Sequence, residues 1–121
     1  MVVAACTRPS LSREALAGPE ALPVFIGVTN ESVLTRRFEL WVNDVVVIDT
    51  VVGRPFDLTG RVLATTVRLA PGQHELTLVD HQRNQRFHAR LTARPGEMCI
   101  FISFLTPRTE FRAGNYQCGF A

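Results

Sequence analysis

The sequence predicts an all-β domain: an antiparallel β-sandwich of immunoglobulin-like or transthyretin-like type with about seven strands. Three observations predict it. Apolar and polar residues alternate with period two across residues 67–105, the pattern of strands with one buried and one wet face. Turn formers break that alternation at regular intervals, at Pro71-Gly72 and Pro95-Gly96 among others. No segment after residue 23 reads as a helix. Composition agrees, since 121 residues with 46% hydrophobic and 20% charged residues suit one ordinary globular domain. A chain of this size buries enough surface to fold without metal or dense disulfides.

The elements follow in order. Residues 1–22 are rich in Ala, Ser, Pro and Arg and lack the alternation, so they read as a tether. Ser12 could cap one helical turn there, which Gly18, Pro19 and Pro23 would stop. The folded domain then covers 23–121. In the first strand Val24, Ile26 and Val28 alternate with Phe25, Gly27 and Thr29. A turn at Asn30-Glu31-Ser32 leads to a second strand with Phe38, Leu40 and Val42 on its apolar face. Asn43-Asp44 can adopt positive φ and should form a tight hairpin turn. Strands three and four are expected at 45–52 and 62–69, with a loop punctuated by Gly53, Pro55 and Gly60 between them. Strands five, six and seven are expected at 74–80, 85–93 and 98–105. The tail, with Phe111, Tyr116 and Phe120, has room for a short last strand.

The register of the 74–92 hairpin can be argued in advance. Pairing Leu78 with Phe87 and Leu76 with Ala89 keeps apolar residues together on the buried face, with Leu91 continuing it. A slip of one residue would expose one of the two sets. The same pairing places Glu75 opposite Arg90 on the wet face and leaves His81 to Asn84 as the loop.

The segment LAPGQHELTLVD, residues 69–80, resembles the small bacterial sandwich modules called PEGA-like domains, which place an apolar-x-Pro-Gly turn before an alternating strand. The resemblance covers only about a third of the chain, and it implies a sandwich fold. Val3-Ala4-Ala5-Cys6 is similar to a bacterial lipobox, in which small residues admit a signal peptidase and the cysteine thiol takes lipid. That likeness implies lipidation at Cys6, a flexible tether and a sandwich on the periplasmic side of the cell envelope. The layout is that of small sandwich lipoproteins such as the type VI secretion lipoprotein. The sequence departs from the signal pattern because only residues 1–5 precede Cys6, where a signal peptide has a basic segment and an apolar stretch of roughly 7 to 15 residues. The alternative is a soluble cytoplasmic interaction module.

Three cysteines leave one unpaired. With Cys6 lipidated, Cys99 and Cys118 could form a disulfide, which would stabilise by about 3 kcal/mol in the chain-entropy model. The other reading is two buried thiols in a reducing compartment.

No enzyme chemistry assembles from the residues. There is no G-x-S-x-G elbow, no Gly-rich phosphate loop and no evident carboxylate pair. His74, His81 and His88 fall on the buried face, in a loop and on the wet face, so no metal site is expected, nor any other cofactor. Asp80, like Glu39 and Asp49, reads as a solvated charge or a turn former. The net charge of +2 calls for no nucleic acid. The candidate binding face is Trp41 together with the stripe of Arg86, His88, Arg90 and Arg94, for a protein or glycan of the envelope. All 13 basic residues are arginine, which reads as coding bias or as selection for bidentate contacts with carboxylates and phosphates.

Overall fold

Eight strands build two packed four-stranded sheets in the computed structural model, which describes residues 19–53 and 62–115. The strands are β1 (Leu22–Asn30), β2 (Arg36–Val42), β3 (Val45–Val52), β4 (Val62–Leu69), β5 (Gly72–Asp80), β6 (Gln85–Ala93), β7 (Cys99–Phe104) and β8 (Thr109–Gly114). The first sheet has the order β4-β1-β7-β8 and the second β3-β2-β5-β6. No helix occurs among the described residues. The eighth strand is the short last one for which the tail had room, and one pairing corrects the expected antiparallel pattern: β1 and β7 run parallel, from Phe25↔Cys99 to Asn30↔Phe104. The alternation could not show this, because it is the same for a strand in either direction.

The core lies between the inner faces. From the first sheet come Val24, Ile26, Val28, Leu69, Ile100, Ile102 and Phe104; from the second come Phe38, Leu40, Val42, Leu76, Leu78 and Leu91. The β5–β6 register is the one the pattern demands: Leu78↔Phe87, Leu76↔Ala89 and Glu75↔Arg90, with His81 to Asn84 left as the turn. Phe87 and Ala89 are only partly buried, however, because β6 is the edge strand of its sheet. The β2–β3 hairpin turns at Asn43, whose φ of 54° is the left-handed conformation that Asn tolerates. Asn43 also ties this turn to β5, donating its backbone N–H to the Glu75 carbonyl at 2.7 Å. A bulge lies in the same hairpin. The pairing shifts between Leu40↔Ile48 and Trp41↔Val46, so Val47 is an extra residue and both Val47 and Ile48 turn inward.

The connections β1–β2, β3–β4, β5–β6 and β7–β8 all leave from one end of the sandwich, as the registers Asn30↔Phe104, Arg36↔Val52 and Phe38↔Asp80 require. Two buried polar groups hold that end. Asn30 is fully buried at the end of β1; its Nδ2 donates to the Leu34 and Gly53 carbonyls at 2.9 Å, and its Oδ1 accepts from the Ser32 N–H at 3.0 Å. The second is an ion pair of Arg36 and Asp80, both fully buried. Asp80 Oδ2 also accepts from Thr109 Oγ1 at 3.1 Å, and Oδ1 from the Gln82 N–H at 3.1 Å. The Arg36 guanidinium lies 4.9 Å from the centroid of the Phe104 ring. Asp80 is therefore a turn former as expected, but it is not a solvated charge. Its parity in β5 matches that of the buried Leu76 and Leu78, and it faces the start of β2.

Candidate functional site

Strand alternation sends one set of side chains of the second sheet outward, and the registers fix their rows. Asp49, Glu39, Val79 and Arg86 form one row across β3, β2, β5 and β6; Trp41, Thr77 and His88 form the next; Glu75 and Arg90 face each other in the third. The structure thus brings Trp41, from β2, onto the same surface as Arg86, His88 and Arg90, from β6, with one strand between them. Arg94, also exposed, lies just past the end of β6.

Trp41 is half-buried, out of phase with the inward-facing Phe38, Leu40 and Val42. Its Nε1 donates to Glu39 Oε1 at 2.8 Å. The other oxygen of Glu39 lies 2.7 Å from His81 Nε2, so an i, i+2 pair on β2 and a loop residue lock together. The His81 backbone N–H, bonded to the Arg37 carbonyl at 3.0 Å, anchors the loop side of this contact. Burial works to raise the Glu39 carboxyl pKa. The hydrogen bonds from Trp41 and His81, with the charges of His81 and Arg37, outweigh it and hold the group below its ordinary value near 4.5. Because the folded-state value is depressed, the stabilisation is present above the ordinary carboxylate range and is lost as pH falls through the folded-state value. Trp41 is the sole tryptophan. Acid titration should therefore shift its fluorescence in a step centred below pH 4.5. Glu39→Gln should remove that step; a step that survives the substitution would mean that another group controls the indole.

The His81–Glu39 pair is a histidine–carboxylate contact, an arrangement that also occurs in enzyme sites. It sits on an open sheet face, and among the described residues no Ser, Thr or Cys hydrogen-bonds the His81 ring. His74 is spent on the fold: its ring bridges the Ala70 carbonyl at 2.7 Å and Asn43 Nδ2 at 3.1 Å. The amide can only donate, so Nδ1 accepts and Nε2 carries the proton to Ala70. His88 Nδ1 lies 3.3 Å from Thr77 Oγ1. The described residues contain no cluster of three or more metal-ligating side chains.

The charges on the face are unevenly satisfied. Glu75 pairs with Arg90 at 2.7 Å, Asp49 with Arg37 at 3.6 Å, and Glu39 with His81 and Trp41. Arg86 is exposed and has no hydrogen bond or ion pair among the described residues. Sequence reasoning missed the Glu39–His81–Trp41 cluster, although the shared parity of Glu39 and Trp41 on β2 signals half of it.

On the opposite sheet, Cys99 is fully buried and disulfide-bonded. Cys6 and Cys118, the remaining cysteines, lie outside the described residues, as does the proposed tether up to residue 18. Near Cys99 a shallow groove of about 330 Å³ is lined by Pro23, Phe25, Thr66, Gly96, Glu97 and Met98. No helix among the described residues is long and apolar enough to cross a membrane. No family model matches the chain, and no curated protein matches it.

Proposed function

We propose that the chain is a non-catalytic, lipid-anchored protein of the cell envelope whose sandwich, of immunoglobulin-like or transthyretin-like type, binds a partner through the Trp41 face. The observation that carries this reading is the disulfide at Cys99, because structural disulfides persist in oxidising compartments and are rare in the cytosol. The lipobox-like Val3-Ala4-Ala5-Cys6 agrees with it, since a lipid on Cys6 leaves Cys118 to pair with Cys99. A diacylglyceryl cysteine anchors through more than one acyl chain, which gives stable attachment. The binding role rests on the face itself: a half-buried Trp held rigid by Glu39, rimmed by residues of both charges, has the anatomy of a recognition surface. The His81–Glu39 pair positions the indole.

Changing Cys6 to Ser in a gene that retains its native upstream DNA should move the protein from the membrane fraction to the soluble fraction without altering its melting temperature. If the Cys6→Ser protein fractionates like the parent, the anchor is absent and the soluble interaction module takes its place.

A further inference from the structure

We propose that the Trp41 face binds an acidic glycan, with one sugar ring stacked on Trp41 and a carboxylate of a neighbouring sugar held by Arg86; this rests on the binding reading above. The first argument is residual charge. Every carboxylate on the face is already paired within it: Glu39 with Trp41 and His81, Asp49 with Arg37, Glu75 with Arg90. Arg86 is the exposed arginine in the same rows with no hydrogen bond or ion pair among the described residues, so its guanidinium is the one left without a carboxylate there. A guanidinium takes a carboxylate through two parallel hydrogen bonds, a geometry that lysine cannot supply.

The second argument is the state of the indole. Its N–H is satisfied by Glu39, so what remains available is the ring face, which suits stacking rather than hydrogen bonding. Thr77 and His88, next to Trp41 in its row, and His81 beside Glu39 offer donors and acceptors of both kinds. Sugar hydroxyls can use either.

The third argument is spacing. Arg86 sits two strands across and two residues along from Trp41, about 12 Å between Cα atoms for strands roughly 4.8 Å apart with a 3.4 Å rise. One sugar on the indole therefore leaves its neighbour near the guanidinium. A protein partner is less well served: the apolar side chains of the face are Trp41, Val46 and Val79, all partly buried, with the exposed Val51 towards the end of the edge strand β3, which is small for the core of a stable protein interface.

The sole tryptophan makes the test specific. Full-length protein is titrated with tetragalacturonate, with its methyl ester and with hexaglutamate while Trp41 emission is followed. Tetragalacturonate should change the emission saturably, the methyl ester should bind roughly tenfold more weakly, and hexaglutamate should have no effect. Arg86→Gln, an exposed substitution that should leave the melting temperature unchanged, should reduce affinity for the acid roughly tenfold and leave the ester unaffected. Trp41→Phe, which removes the fluorophore and is therefore followed by isothermal titration calorimetry, should weaken both saccharides. No emission change with tetragalacturonate, an Arg86→Gln protein that binds it like the parent, or tighter binding of hexaglutamate would each overturn the proposal, the last in favour of an acidic peptide. The chemical state of Cys6 does not enter this titration, so the anchor and the ligand fail separately.

Discussion

Asp80→Ala is expected to destabilise the domain by about 3–5 kcal/mol, the largest effect of any single charge removal. The reason is the state in which it leaves Arg36. That guanidinium is fully buried, its Nε lacks a hydrogen-bond partner, and among the described residues it contacts the Asp80 carboxylate and the Phe104 ring. Removing the carboxylate strands a buried cation. It also unties the β5–β6 turn, whose Gln82 N–H is held by Asp80 Oδ1, and it cuts the link from Thr109 on β8 to the opposite sheet. Replacing both partners with apolar residues, Arg36→Met with Asp80→Leu, should recover most of the loss, because a buried ion pair repays little more than its own desolvation. Urea denaturation of the three proteins checks this. A loss below about 1 kcal/mol for Asp80→Ala would show that the pair is solvated and that the loop end is held by other contacts.

Phe104→Ala should cost a similar amount, about 3–5 kcal/mol. Phe104 ends β7 with no exposed surface and packs its ring 5.5 Å from that of Phe38, across the interface between the sheets. The Arg36 guanidinium also lies over the Phe104 ring, 4.9 Å from its centroid. The substitution therefore opens a cavity where the two sheets meet and weakens the charge beside it. Because Phe104 and Arg36 touch, the effects of Phe104→Ala and Asp80→Ala should be non-additive, and a double-mutant cycle by denaturation would measure the coupling. Additivity within about 0.5 kcal/mol would separate the aromatic contact from the ion pair.

These two residues also mark how far the sequence could be read. The alternation places Leu76, Leu78, Phe38 and Leu40 inside, and the 74–92 register follows from it without ambiguity. The same alternation puts Arg36 and Asp80 inside, in phase with those leucines. The general expectation that charges are solvated runs against this local pattern for Asp80, and the structure follows the pattern: the two charges meet across β2 and β5 and neutralise each other. What period two cannot carry is strand direction or order. Nothing in Phe25 to Asn30 announces that β7 lies alongside and parallel, since that pairing joins segments more than seventy residues apart. The candidate site was legible in pieces. Trp41 and the Arg86–Arg90 stripe each stand out by parity, but their union on one face depends on β5 lying between β2 and β6, which is topology. His81 enters the site from a turn, where parity has no meaning.

The central claim is that this sandwich lives anchored outside the reducing cytosol. Peptide mass spectrometry on protein isolated from cells expressing the gene with its native upstream DNA, digested without reduction, tests it most directly. The account predicts that Cys6 is the first residue of the mature chain and carries a diacylglyceryl group, and that Cys99 is recovered in a disulfide-linked peptide with Cys118. An unmodified Cys6 following an intact Met1, with Cys99 and Cys118 recovered as free thiols, would contradict it.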